Sequence, residues 1–118
     1  MTLNMMATER RRRMFEPNEK ILQVAHKIGK ATKAKKIILF GSYAQNTATK
    51  DSDVDFLVIA ESNLPRYKRS RKLYLLFNSY PFAMDILIYT PEEIKKELQF
   101  TTSFISWIMK EGKEIYAS

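Results

Sequence analysis

The chain has 118 residues, a net charge of +7, 45% hydrophobic and 28% charged residues, and no cysteine. That suffices for one compact core, is too little for two ordinary domains, and has the balance of a folded protein rather than a disordered one. No apolar run nears the roughly 18 residues that span a bilayer, and the absent cysteines exclude disulfides and thiolate metal sites. The stretch after Met1 reaches Glu9 and four arginines without the apolar core of a signal peptide, so a cytoplasmic location with no membrane contact is the simplest expectation.

Residues 1–16 show no sustained period and read as a flexible basic leader; residues 17–118 read as a single domain. Pro17-Asn18 opens a helix with Ile21, Val24, Ala25 and Ile28 on one face, and Gly29 with the lysines at 33–36 suits its end. Residues 37–40 form a buried strand stopped by Gly41. Ser42 is placed to cap a short helical turn through Gln45. A polar loop over 46–52 leads into a second strand at 54–60. After a break, residues 66–80 read as one helix, with Leu73, Leu76, Phe77 and Tyr80 at core spacing and Pro81 ending it. A third strand covers 84–89. Thr90-Pro91-Glu92-Glu93 starts the next helix with a cap, a first-turn proline and two acids. The last helix carries Phe104, Ile105, Ile108 and Met109 and stops at Gly112, and Glu114-Ile115-Tyr116 adds a short edge strand.

The chemistry concentrates in Gly41-Ser42-Tyr43-Ala44 and Asp51-Ser52-Asp53-Val54-Asp55. A small-residue turn with free backbone N–H groups can hold a phosphate. Carboxylates two apart on a strand share a face, so Asp53 and Asp55 can grip one hard cation or two close ones. If the turn that ends strand one faces the acids that open strand two, those strands run antiparallel. Asp85, near the start of strand three, joins them only if strands two and three run parallel, which requires a crossover through 66–80. A mixed sheet flanked by helices follows.

Asp85 otherwise sits in an apolar strand and needs a cationic partner; a lysine or arginine would serve, and with Asp53 and Asp55 a three-carboxylate metal site serves better. Other readings fail on their own terms. An EF-hand starting at Asp51 would need glycine and glutamate where Phe56 and Ser62 stand. A Walker loop lacks its second glycine and lysine. His26 is the sole histidine, too few for a zinc hydrolase or a Ser-His-Asp arrangement around Ser42. Two basic clusters, at 10–13 and at Arg66, Lys68, Arg69, Arg71 and Lys72, attract polyanions in general and choose none in particular.

At Gly41-Ser42, Asp53-x-Asp55 and Asp85 the chain resembles the minimal nucleotidyltransferases of the DNA polymerase beta superfamily, as do Ile38-Leu39-Phe40 and the closing Glu111-Gly112-Lys113-Glu114-Ile115-Tyr116. The likeness spans about residues 20 to 117, with Gln45 and Asn46 standing where many relatives have arginine and glycine. It implies an α/β nucleotidyltransferase fold with a small mixed sheet, occupying residues 17–118. It implies that Asp53, Asp55 and Asp85 are catalytic residues and ligands of two Mg²⁺ ions, and that Gly41 and Ser42 hold the phosphates of a nucleoside triphosphate, ATP in the first instance. Lys50, Arg66 and Arg69 are further candidate triphosphate contacts. The implied activity is transfer of AMP to a hydroxyl acceptor. The implied partner is a HEPN-type helical protein, the toxin of a toxin–antitoxin pair in which this chain is the antitoxin. The residues leave open a non-catalytic partner-binding module of the same fold, a nucleic-acid-binding protein, and self-association into a homo-oligomer.

Overall fold

The computed structural model describes residues 19–77 and 79–118. The leader at 1–16 and the helix opening at Pro17-Asn18 lie outside the described residues. Helix α1 (Glu19–Thr32) buries Ile21, Val24, Ala25, Ile28 and Gly29. It runs past Gly29 and ends where Lys33 turns left-handed, at φ 55, with Ala34 N–H donating to Gly29 C=O at 3.1 Å. Gly29 is therefore no helix stop. A Cβ there would overlap the Tyr116 ring, so the glycine serves close packing of helix on sheet.

Four strands follow: β1 (Lys36–Phe40), β2 (Val54–Ile59), β3 (Met84–Tyr89) and β4 (Lys113–Ala117), in sheet order β3-β2-β1-β4. β1 is antiparallel to β2 and β4, and β2 is parallel to β3, which is the mixed topology that the placement of the acids required. Side chains alternate across a strand, so β1, β2 and β3 each feed two cores. Ile37, Leu39, Val54, Phe56, Val58, Ile86 and Ile88 pack with Ile21, Val24, Ala25 and Ile28 of α1. Ile38, Phe40, Leu57 and Ile59 face the other way, onto two further helices described below.

The β2–β3 crossover is not one helix over 66–80. It is a 3₁₀ turn (Arg66–Lys68) and a single helical turn, α2 (Arg71–Tyr74), in which only Leu73 is buried. Leu76 and Tyr80 are exposed, so the expected stripe has little to pack on. Without tertiary burial a short helix does not offset its own nucleation.

Helix α3 (Pro91–Glu97) begins with a capping box between Thr90 and Glu93, and α4 (Phe104–Glu111) is capped by Ser103. Ile94 of α3 and Ile105 and Ile108 of α4 complete the second core. Glu93 also fastens the crossover. Its carboxylate takes Arg69 Nη1 at 2.5 Å and Arg66 Nη2 at 3.2 Å, while Arg69 donates to Leu64 C=O at 2.9 Å and Ile88 C=O at 3.1 Å. The Arg69 side chain is 8% exposed, so removing its counter-charge would strand a buried cation.

These bonds, with the Arg69 hydrogen bond the strongest, hold the Glu93 carboxyl at about 2, below its ordinary 4.5. A depressed carboxyl pKa stabilises the fold above the unfolded value and ceases to do so as pH falls toward the folded one. Glu93→Gln keeps the cap, because glutamine also serves at that position, but loses the charge. It should cost about 2 kcal/mol at pH 7 by urea unfolding, a difference that closes as pH drops from 4.5 toward 2.

Candidate active site

Strand pairing builds the site at one end of the sheet. Phe40, the last residue of β1, lies opposite Asp55, and Asp55 lies beside Asp85 across the parallel β2–β3 ladder. Asp55 and Asp85 alternate with the residues packed under α1, so both side chains leave the sheet on the α3–α4 side. Asp53, two residues before Asp55, is in phase with them. Asp53 and Asp85 are exposed, and Asp55 is half-buried.

Gly41 follows Phe40 with φ +76, a left-handed conformation that favours glycine. A Cβ at Gly41 would also overlap the Asp55 carboxylate, so the turn and the acid are in direct apposition. The Gly41 carbonyl accepts from Ala44 N–H at 3.1 Å and Gln45 N–H at 3.2 Å, closing one helical turn. Among the described residues, the N–H groups of Ser42 and Tyr43 and the Ser42 hydroxyl find no protein partner. Ser42 therefore does not cap the turn through its hydroxyl; that hydroxyl and two amides stay available at the mouth of the site. Such a group of free amides is an anion-binding feature.

The two departures from the related motif have structural answers. Asn46 adopts φ 59, the left-handed conformation that glycine takes readily. Gln45 Nε2 donates to Glu111 C=O at 3.1 Å and ties the turn to the end of α4.

The three aspartates carry no ion pair with any described residue; the pairs present use Lys36, Arg66 and Arg69. Burial first, then the charges of Asp85 and Asp53, push the Asp55 carboxyl up from 3.8 to about 6. In this conformation no three acidic or histidine side chains among the described residues are gathered tightly enough to hold a metal ion. Asp53, Asp55 and Asp85 are near enough to repel and open enough to be drawn inward. Their oxygens are the hard ligands that Mg²⁺ takes, and the unrelieved negative field at Asp55 fits a cation there.

Arg66 and Arg69 are not triphosphate contacts in this geometry. Both are committed to Glu93, and Arg66 also stacks on Tyr89, 4.0 Å from its ring centre. Tyr89 is four strand residues beyond Asp85, about 13 Å at the usual strand rise. Lys50 lies in the loop just before Asp53. One residue that periodicity gave no reason to choose is Tyr74. Its hydroxyl donates to Met84 C=O at 3.3 Å and accepts from Ile86 N–H at 3.2 Å, bridging the backbone on both sides of Asp85.

The fold is that of the nucleotidyltransferases. A solved toxin–antitoxin structure with AMP-PNP superposes with a TM-score of 0.53 at 22% identity, over 82% of this chain and 73% of that one. A solved protein of Sulfolobus solfataricus, named provisionally as a nucleotidyltransferase, gives 0.52 at 16% identity, over 76% and 78%. The chain itself belongs to the nucleotidyltransferase domain family, which matches residues 19–117. Among its relatives are proteins of Methanocaldococcus jannaschii named provisionally as protein adenylyltransferases. One is 36% identical over 70% of this chain and 80% of its own length; another is 32% identical over 70% and 78%. A third is 41% identical over 68% of this chain, which spans 56% of that longer protein. No helix of the described residues is long and apolar enough to cross a membrane.

A raised carboxyl pKa means that metal-free stability falls as pH rises from 3.8 through about 6, since the folded state then loses a proton it holds more tightly. Asp55→Asn should flatten that dependence. In EDTA at pH 8 it should stabilise the fold by about 1 kcal/mol, discounted because part of the carboxylate faces water. Below pH 3.8 the gain should vanish, as thermal melts across the range would show.

Proposed function

We propose that this chain is a Mg²⁺-dependent adenylyltransferase that moves AMP from ATP to a hydroxyl on a partner protein. The observation that carries the reading is the set of acids at Asp53, Asp55 and Asp85, which have no ion-pair partner among the described residues, with Asp55 against the Gly41 turn. Asp53 and Asp55 would hold two Mg²⁺ ions, with Asp85 a ligand to one of them. Bound there, the metal supplies neutralisation of phosphate charge and a lowered pKa for the attacking hydroxyl.

The chain's own residues do the rest. Ser42 and Tyr43 N–H groups and the Ser42 hydroxyl orient the β- and γ-phosphates at the end of β1. Asp53 and Asp55, by holding cations, would let the α-phosphate lie beside them at β2 despite their own negative charge. Asp85 accepts the acceptor's proton as its oxygen bonds to the α-phosphorus, while the bond to the β-phosphate oxygen breaks and pyrophosphate leaves with the electron pair. Positioning and charge neutralisation account for most catalysis in such displacements. A protein acceptor is supported by the names of the relatives, and an ATP-like donor and a partner chain by the toxin–antitoxin neighbour with AMP-PNP. From the family resemblance we infer a HEPN-type helical toxin as that partner, which would be silenced when a hydroxyl such as tyrosine gains a charged nucleotidyl group.

Asp53→Asn or Asp55→Asn should lower transfer by about 10³-fold or more, because an amide cannot supply the charge that holds the ion. Co-purified partner incubated with ATP and Mg²⁺ should gain one adenylyl group by intact mass. Wild-type transfer by Asp55→Asn would refute the catalytic reading. A bound partner whose mass never rises would favour a binding module, and salt-sensitive RNA binding without Mg²⁺ or nucleotide would favour a nucleic-acid protein.

A further inference from the structure

Asp55 has another neighbour on its own face of the sheet. It pairs with Phe40 across the antiparallel β1–β2 ladder, and residues directly opposite share a face. The Phe40 ring meets the Phe104 ring edge to face at 5.8 Å, and Phe104 stacks on Trp107 at 6.1 Å and 12°. With the usual cross-strand spacing, the nearer α4 ring lies on the order of 10 Å from Asp55. The other end of α4 touches the phosphate turn, where Gln45 Nε2 donates to Glu111 C=O. One helix therefore meets both the turn and the strand residue beside the acid.

The rings of that helix are not spent on the core. Ile105 and Ile108 are 1% and 0% exposed, whereas Phe104 and Trp107 are 55% and 45% exposed. Two nearly parallel rings left uncovered make a flat apolar surface, which suits a flat ligand. Exposed Lys110 follows Trp107 by one helical turn and sets a cation on that side, which favours an anionic ligand.

The chemistry of the site says which flat anion reaches these rings. In an in-line displacement the attacking and leaving oxygens share one axis through the α-phosphorus, so the ribose departs sideways from that axis. Asp53, Asp55 and Asp85 lie on the α3–α4 side, and the sheet itself closes the opposite side. The nucleoside of a triphosphate held there extends away from the sheet, along the side where α4 carries its rings.

We infer that Phe104 and Trp107 form the nucleobase platform of the donor site, and that it selects purine over pyrimidine triphosphates by stacked area. The inference rests on the transferase reading and adds which residues hold the base and by what property they choose it. A purine lays two fused rings on such a face where a pyrimidine lays one, and stacking on aromatic side chains contributes substantially to base affinity.

Trp107 is the sole tryptophan of the chain, so its fluorescence reports on the platform directly. With the full chain and Mg²⁺, ATP and GTP should quench it. Inorganic tripolyphosphate, which has the phosphates and no base, should bind more weakly and without quenching. By calorimetry CTP and UTP should bind about tenfold more weakly than ATP. Trp107→Ala and Phe104→Ala should raise the Kd for Mg-ATP about tenfold and leave that for Mg-tripolyphosphate unchanged, with thermal melts checking that each is folded. Trp107→Phe keeps a ring and should retain most of the purine preference. Tyr80→Ala, at an exposed position of the crossover, should change neither Kd.

Pyrimidine triphosphates bound as tightly as ATP, GTP bound no better than UTP, or an unchanged Kd for Mg-ATP in Trp107→Ala would overturn the assignment. So would quenching by single-stranded RNA but not by ATP, which would make the rings a nucleic-acid surface. If Mg-ATP and Mg-tripolyphosphate bind equally and the Trp107 signal stays still, the platform is wrong and the transferase reading stands. If neither binds, the transferase reading falls and the platform with it.

Discussion

The Asp55 carboxylate sits where the ends of three strands crowd together. β1 delivers Gly41 directly onto it by antiparallel pairing, and β3 delivers Asp85 beside it by parallel pairing. Each neighbour is a consequence of the one before. The contact with Asp55 forbids a side chain at residue 41, and the left-handed turn that results exposes the amides of Ser42 and Tyr43. The parallel neighbour requires a crossover, and the crossover supplies Tyr74 to hold the outer edge of β3 where no further strand bonds it. A negative group already crowded and raised to about 6 is then the natural place for a cation to relieve the strain in the field.

The two ends of β3 treat charge in opposite ways. At its far end Arg66 and Arg69 are consumed by Glu93, Tyr89 and backbone carbonyls, and the carboxyl there is pulled down to about 2. At its near end three carboxylates find no cation among the described residues. The paired end fastens crossover to helix and resists acid until Glu93 protonates. The acidic end costs stability through the burial and repulsion that act on Asp55, which is the usual signature of a site arranged for something other than folding.

Much of this was legible in the sequence because the period of a strand is two. Asp53 and Asp55 had to share a face, and a turn at the end of one strand could meet acids at the start of the next only by antiparallel pairing. From there Asp85 fixed the parallel neighbour, and the structure bears out both pairings; that β4 lies beside β1 is the structure's addition. What periodicity misread was the crossover: four apolar residues at helical spacing between 66 and 80 fit a helix, but Leu73 is buried, Phe77 packs only partly on the core, and Leu76 and Tyr80 are exposed. Spacing carries no information about what a stripe will face. Gly29 misled for a related reason, since a glycine left bare for the Tyr116 ring looks in sequence like a glycine that ends a helix. The uses of Arg69 and Tyr74 depend on partners 24 and 10 residues away, and no local pattern announces either.

The central claim is that Asp53, Asp55 and Asp85 close on divalent metal when a nucleoside triphosphate binds. Anomalous diffraction from crystals grown with Mn²⁺ and a non-hydrolysable ATP analogue tests it most directly. The account predicts manganese peaks within ligand distance of Asp53 and Asp55, with Asp85 turned toward one of them and the β- and γ-phosphates on the Ser42 and Tyr43 amides. Nucleotide bound with no peak at Asp55, or with Asp85 paired to a lysine on the opposite face, would contradict it.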